Sequence, residues 1–269
     1  MDDPERGEGI MERLDESVLL CVNDLCFSYG THEILKNITF SASKGEYVYI
    51  LGPNGVGKST LFRSLMGHLK PSRGEVKIQG KGITSYKPNE LAKKIAYIPQ
   101  TCHPSFNYSV LQLAMMGRTA YLSPFASPKT ADYERTYEIL EKLGLEEKAE
   151  CGIRKISGGE RQLAMIARAL VQEADILLMD EPTSSLDYGN GLRIQMQMKN
   201  LASSGLLVIQ SSHNPEHAMF FADQVIALKE GHIEAQGKTS EVLTEKLLKK
   251  LYGLDVEVRD SVIIPKLDI

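Results

Sequence analysis

Residues 47–60 read YVYILGPNGVGKST, and no other stretch restricts the fold so strongly. Gly52, Gly57, Lys58 and Ser59 complete the pattern G-x-x-x-x-G-K-[ST], a loop whose backbone N–H groups surround phosphate oxygens. Tyr47, Val48, Tyr49, Ile50 and Leu51 form an almost wholly apolar run, which predicts a parallel strand buried on both faces. Gly52, Gly55 and Gly57 let the backbone approach phosphate where a Cβ would hinder it. Beyond Lys58, the residues Leu61, Phe62, Leu65, Met66 and Leu69 recur at helical spacing. The loop therefore ends on a helix N-terminus, where free N–H groups and the helix dipole favour anions. A glycine-rich turn that merely joins a strand to a helix is the plain alternative, but here strand, loop and helix agree. The stretch implies a nucleoside triphosphate site with Ser59 on the magnesium.

The 269 residues suffice for one large domain, or for one domain carrying a substantial inserted lobe. A hydrophobic share of 42% with 25% charged residues is that of an ordinary globular chain. The formal net charge of -4 supplies no global basic field, so nucleic acid is not an expected partner. No apolar run approaches the roughly 20 residues that span a bilayer, and the acidic start MDDPERGEG is unlike a signal peptide, so a cytoplasmic location is expected. Cys21, Cys26, Cys102 and Cys151 lack C-x-x-C spacing, which fits free thiols better than a disulfide frame or a zinc site.

Residues 1–16 are charged and aperiodic and read as a flexible leader. From Ser17, SVLLCVNDLCFSYG and ILKNITFSASKGE read as antiparallel strands, and EVKIQG as a further short strand. IAYIPQ, residues 95–100, is an apolar strand stopping at Pro99 and Gln100. Residues 101–156 alternate prolines with helical patterns, and in YERTYEILEKLGL the residues Tyr133, Tyr137, Leu140 and Leu143 or Gly144 lie near one face. This stretch reads as a helical lobe inserted into the nucleotide core. ISGGERQLAMIARALVQ follows, a Gly-Gly turn before a helix with Leu163, Ile166, Ala167, Leu170 and Val171 on one face. DILLMDEP and GLLVIQSSHNP are two more buried strands, separated by the turn SSLDYGN and a helix burying Ile194, Met198 and Leu201. QVIALKEGHIEAQG reads as a hairpin about Glu230 and Gly231, EVLTEKLLKKLYG as a last helix, and DVEVRDSVIIPKLDI as a small strand-rich element.

Asp180 and Glu181 end the strand DILLMDEP. A carboxylate there can hold magnesium beside a phosphate loop, and the adjacent Glu can orient or deprotonate a water for in-line attack. Two acidic residues at a strand end are also common, solvated punctuation. The phosphate loop upstream favours the chemical reading. Ser157 and Glu160 have capping-box spacing, so the Gly-Gly turn can simply start a helix, and a role in binding is compatible with that.

The phosphate loop, ISGGERQ at 156–162, MDEP at 179–182, SSLD at 184–187 and His213 occur in the order found in ATP-binding cassette ATPases, and the resemblance covers nearly all of residues 17–260. The stretch Ser-Gly-Gly-Glu-Arg-Gln is its most discriminating part. The resemblance implies an α/β fold: a phosphate-loop NTPase core with a mixed sheet flanked by helices, an N-terminal antiparallel β subdomain and an inserted α-helical subdomain at about 101–170. The ATPase domain would span 17–260, with a tail at 261–269. ATP and Mg2+ are the implied cofactors. Gly52, Pro53, Asn54, Gly55, Val56, Gly57, Lys58, Ser59 and Thr60 would hold the phosphates, with Tyr29 stacked on the adenine. Ser59, Gln100 and Asp180 would serve the metal, and Glu181, His213, Gln100 and Lys58 the reaction. Ser157, Gly158, Gly159, Glu160 and Asp187 would act across a homodimer, closing over ATP held by the partner.

Ile156 stands where Leu is commoner in the family, and Asn214 where many relatives carry Asp. VLQLAMMGRTAYLSPF, LDYGNGLRIQ and ADQVIALKEGHIEAQGKTSEVLT resemble ATPases that serve uptake of iron chelates, haem and cobalamin. That likeness implies two integral-membrane permease subunits, a substrate-binding protein reached through them, and a place at the cytoplasmic face of the membrane. Molybdate or tungstate import, a non-transport ATPase of the cluster-assembly type, and a nucleotide-binding module without turnover are the other readings.

Overall fold

The computed structural model describes residues 17–100, 106–123, 126–184, 186–259 and 262–266. The leader expected at 1–16 and Cys102 lie outside them. Chain order begins with β1 (Val18–Tyr29), β2 (His32–Ser43), β3 (Tyr47–Leu51), α1 (Lys58–Leu65), β4 (Arg73–Ile78), β5 (Lys81–Gly82), α2 (Pro88–Ala92) and β6 (Ile95–Ile98). Three helices follow, α3 (Val110–Met115), α4 (Thr130–Lys142) and α5 (Gly158–Val171), before the chain returns to sheet in β7 (Ile176–Asp180). The remainder is α6 (Tyr188–Ser203), β8 (Leu207–Ser212), α7 (Pro215–Phe221), β9 (Gln224–Lys229), β10 (His232–Lys238), α8 (Thr239–Val242), α9 (Glu245–Tyr252), β11 (Val256–Arg259) and β12 (Val262–Pro265).

A six-stranded sheet in the order β10-β9-β3-β8-β7-β6 forms the centre. β3 pairs in parallel with both β8 and β9, and β7 with both β6 and β8, while β10 closes one edge antiparallel to β9. All five residues of β3 are buried. Successive side chains of a strand point to opposite faces, and the two faces of β3 feed two cores. Tyr47, Tyr49 and Leu51 join the core shared with α3 to α6, whereas Val48 and Ile50 join the core shared with α1 and the antiparallel sheet β2-β1-β4-β5. A strand covered on both faces has no polar side, which explains its unbroken apolar run. Burying each of Val48, Ile50 and Leu51 stabilises the fold by about 1.5–3 kcal/mol. The mixed α/β class expected from sequence is the class observed, and among the described residues no sheet closes into a barrel.

α3, α4 and α5 pack on one another and lie in sequence between β6 and β7, which are neighbours in the sheet. One expected helix face needs correction. In α4 the buried residues are Asp132, Thr136, Ile139 and Leu140, while Tyr133 and Tyr137 are 43% and 38% exposed. Tyrosine presents an apolar ring with a polar tip, and Tyr137 directs its hydroxyl to Glu150 at 3.3 Å rather than into the core. In α5 the core is made by Ala164, Met165, Ile166, Ala167, Ala169 and Val171, with Leu163 and Leu170 only half-buried. The expected face of α5 thus packs on the core, Leu163 and Leu170 lying against it, and burial of Ala164, Met165 and Ala169 widens it. Ile194 and Met198 of α6 are buried and Leu201 is half-buried. β11 and β12 form an antiparallel hairpin that spans the boundary expected at 260/261.

Candidate active site

Gly57 caps α1 at φ 108°, and a Cβ there would lie 3.0 Å from Leu35 and 3.3 Å from the Ile34 carbonyl oxygen. At Gly52 a Cβ would meet the Leu228 carbonyl oxygen at 2.5 Å. Glycine is thus required at both ends of the turn, once by backbone conformation and once by close approach. The turn delivers Lys58 to the first position of α1, 6% exposed, with its ammonium donating to the Gly52 carbonyl at 2.7 Å and the Pro53 carbonyl at 3.1 Å. Burial holds the Lys58 pKa below its ordinary value, and the Glu181 carboxylate opposes that shift.

A cavity of about 340 Å³ opens over this turn, lined by Asn54, Gly55, Gly57, Lys58, Ser59, Thr60, Gln100, Glu181 and Ile34. Larger clefts of about 830 and 620 Å³ lie elsewhere, but neither contains the phosphate loop or the strand-end carboxylates. Chemistry rather than size therefore marks the smaller cavity. Ser59 is exposed and Thr60 and Val56 are half-buried in it or beside it.

Four residues expected to act together do meet. The Glu181 carboxylate, 9% exposed, places Oε1 3.4 Å from Lys58 Nζ, accepts a hydrogen bond on Oε2 from Gln100 Nε2 at 3.1 Å, and has His213 Nδ1 3.2 Å from the same Oε2. They come from four places: Lys58 from the start of α1 after β3, Gln100 from beyond β6, Glu181 from the end of β7 and His213 from the turn after β8. Parallel strands ending on one edge bring them together, as expected at the carboxyl ends of an α/β sheet. Glu181 has φ 45°, a left-handed conformation that costs a non-glycine residue about 1–2 kcal/mol.

That conformation has a holder which sequence reasoning missed. Ser211, fully buried on β8, accepts a hydrogen bond from the Glu181 backbone N–H at 3.0 Å and donates to Asp180 Oδ1 at 2.5 Å. β7 and β8 pair with Asp180 opposite Ser211, so the contact follows from sheet register. The only advance signal was the serine pair closing an apolar strand. Asp180 itself is 4% exposed. Ser59 hydroxyl, Gln100 amide and Asp180 carboxylate supply hard oxygen donors, the kind Mg2+ takes alongside phosphate and water. Among the described residues no cluster of three His, Cys, Asp or Glu could hold a metal ion by itself.

Tyr29 lies at the β1 end of the first hairpin, 47% exposed, its ring edge-on to Phe27 at 4.8 Å between centroids. It does not line the phosphate cavity. Neither do Ser157, Gly158, Gly159, Glu160 and Asp187. Ser157 caps α5 by accepting from the Glu160 N–H at 3.2 Å, and Glu160 accepts from the Ser157 N–H at 2.8 Å, a full capping box. The Lys148 ammonium beside Glu160 holds its carboxyl below the usual range. Asp187 caps α6 in the same manner, accepting from the Asn190 N–H at 3.0 Å and from its side-chain amide at 2.6 Å, and these bonds lower its pKa. The two helix starts touch: a Cβ on Gly159 would lie 3.1 Å from Asn190 Cγ.

Comparison with known proteins identifies the family. The sequence profile described as ABC transporter matches residues 35–184. A protein of Helicobacter pylori named as a probable iron chelatin transport ATP-binding protein is 38% identical over 242 residues, covering 89% of this chain and 95% of its own. The iron(3+)-hydroxamate import ATP-binding protein of Bacillus subtilis is 33% identical over 240 residues, 89% of each chain. Among solved structures, an inward-facing transporter described as metal-chelate type superposes with a TM-score of 0.82 at 30% identity, covering 93% of this chain and 98% of the other. With its ordered motifs, its α/β core and these similarities, the chain belongs to the ABC transporter family, as one of its ATP-binding, ATP-hydrolysing proteins.

Proposed function

We propose that the chain is the ATPase subunit of an importer that carries a metal chelate, such as an iron(III)-siderophore, haem or cobalamin, through separate membrane subunits. The names of the relatives support the cargo class, and the gathering of Lys58, Gln100 and His213 on Glu181 is the observation that carries the chemistry. Among the described residues no helix is long and apolar enough to cross a membrane. Two permease subunits would provide the path, a substrate-binding protein would deliver the cargo, and this chain would work at the cytoplasmic face.

In this reading residues 52–60 and Lys58 hold the triphosphate, Tyr29 stacks on adenine, and His213 contacts the γ-phosphate. Glu181 orients the water that attacks phosphorus in line, taking its proton as the bond to ADP breaks. Ser59, Asp180 and Gln100 would hold Mg2+, which neutralises phosphate charge when bound. Two copies enclose two ATP molecules, each copy presenting the α5 N-terminus and Asp187 to the other's phosphate loop. Those groups are absent from the phosphate cavity of their own chain, which supports a lid supplied in trans.

Glu181→Gln tests the reading. The variant is expected to bind ATP, to lose turnover by about 10²–10⁴-fold, and to form an ATP-dependent dimer on size-exclusion chromatography. Hydrolysis at the wild-type rate would overturn the role of Glu181. Purifying the chain from its native membranes tests the transport assignment: integral-membrane subunits should accompany it, and a stable assembly with soluble partners alone would instead favour work of the cluster-assembly type. Uptake assays on that complex separate iron chelates from molybdate or tungstate.

A further inference from the structure

Behind the phosphate loop, in the core away from the nucleotide, four polar side chains meet where apolar ones would pack. Tyr47 and Tyr49 of β3 and Gln195 of α6 are fully buried, and Gln210 of β8 is 1% exposed. The Tyr49 hydroxyl donates to Gln195 Oε1 at 2.5 Å and lies 3.4 Å from the Tyr47 hydroxyl. Tyr47 reaches both Gln195 Oε1 and, at 2.6 Å, Gln210 Oε1. One phenol has one proton to donate, so these contacts form a shared network rather than independent pairs. Burial pushes the pKa of both phenols up, which keeps their protons in place at ordinary pH.

Each of the three elements leads to a working group. β3 runs into the phosphate loop. Gln210 immediately precedes Ser211, the holder of Asp180 and Glu181, and lies three residues before His213. Gln195 lies eight residues beyond Asp187, roughly 12 Å along the helix. Between them α6 starts as Tyr188-Gly189-Asn190-Gly191, and each glycine lowers helix stability by about 1 kcal/mol. That first turn is therefore held by its contacts more than by propensity. Ile194 and Met198 bury α6 without direction, since apolar contact fixes depth but not rotation or slide. Hydrogen bonds from two tyrosines of β3 to Gln195, with Gln210 of β8 tied in through Tyr47, supply that direction.

We infer that Tyr47, Tyr49, Gln195 and Gln210 form a positioning cluster that sets α6, and with it Asp187 and the adjoining start of α5, in register with the strands that lead to Lys58 and His213. These are positioning residues that touch no substrate. The inference rests on the two-copy reading of the site.

The test replaces the network with apolar side chains of similar shape, Tyr47→Phe, Tyr49→Phe, Gln195→Met and Gln210→Met together, which leaves no polar partner orphaned. The full chain is purified with its native membrane partners. Expected are a melting temperature equal to the wild type or higher, ATP affinity within about twofold, and kcat lowered about tenfold, since displaced catalytic geometry acts on turnover rather than on binding. In the Glu181→Gln background the same changes should weaken the ATP-dependent dimer. Wild-type kcat in the folded quadruple variant would overturn the inference, and so would a rise in KM with kcat intact. Should that variant fail to fold, Tyr49→Phe removes one hydroxyl, and it should still lower kcat about threefold at unchanged KM. Unchanged kcat in that variant overturns the inference as well. If Glu181→Gln gives no dimer with ATP, the two-copy assembly fails and this inference with it. A normal Glu181→Gln dimer that the four changes leave undiminished sinks only the cluster's role.

Discussion

The turn after β3 and the starts of α5 and α6 all lie at helix N-termini, yet they differ in what surrounds them. The phosphate loop has a cavity, a buried cation, and Glu181 with Gln100 and His213 gathered at its mouth. The α5 and α6 starts have capping residues satisfied within their own helices and do not line the phosphate cavity. Both exploit a helix N-terminus, but only one is walled. The lesson is that a motif's local geometry can be finished while its site is not. A capping box settles where a helix begins, and leaves open what approaches it.

Three substitutions probe that contrast. Lys58→Ala should have the largest effect, lowering ATP affinity by about 10–100-fold, because charge-assisted hydrogen bonds contribute about 1.5–3 kcal/mol. Equilibrium binding of a fluorescent ATP analogue measures it, and affinity within twofold of wild type would show that the walled half does not depend on its cation. Ser211→Ala leaves Asp180 and the Glu181 N–H without a buried partner, at about 1–3 kcal/mol. Calorimetry should record a fall of roughly 3–10 °C, with turnover reduced as Glu181 loses the support of its left-handed backbone. A stable, fully active variant would break the link between register and site.

Ser157→Ala should have the smallest effect on the free chain. Loss of the α5 cap costs about 1 kcal/mol, or roughly 2–4 °C, while ATP affinity in the absence of dimer stays unchanged. ATP-dependent dimerisation should nevertheless weaken. If instead the single chain bound ATP less tightly, the two surfaces would not be separate.

Much of the site was legible in the chain because its parts are short and local. Gly52 and Gly57 announce a turn that only glycine can make, and Ser157 and Glu160 announce a cap three residues wide. The carboxylate pair Asp180 and Glu181 was recognisable at its strand end. Other features were not legible. Tyr133 and Tyr137 have helical spacing with Leu140, yet their hydroxyls pull them to the surface, and periodicity alone does not separate an amphipathic ring from a core one. Tyr47 and Tyr49 read simply as members of an apolar run, although their hydroxyls find Gln195 and Gln210 about 150 residues later.

The sequence by itself determined the strand, turn and helix around Lys58, the helix starts at Ser157 and Asp187, and the family, since each depends on backbone conformation and hydrogen bonds between near neighbours. Tertiary structure alone decided that Lys58, Gln100 and His213 converge on the Glu181 carboxylate, and that Ser211 holds Asp180 and the Glu181 backbone. Those contacts depend on strand order and register, which place residues opposite one another however far apart they lie along the chain. The start of α5 does not line the cavity over its own phosphate loop. YVYILGPNGVGKST thus specifies a buried strand, a glycine turn and a helix start, and the fold brings Gln100 and Glu181 to the cavity over them.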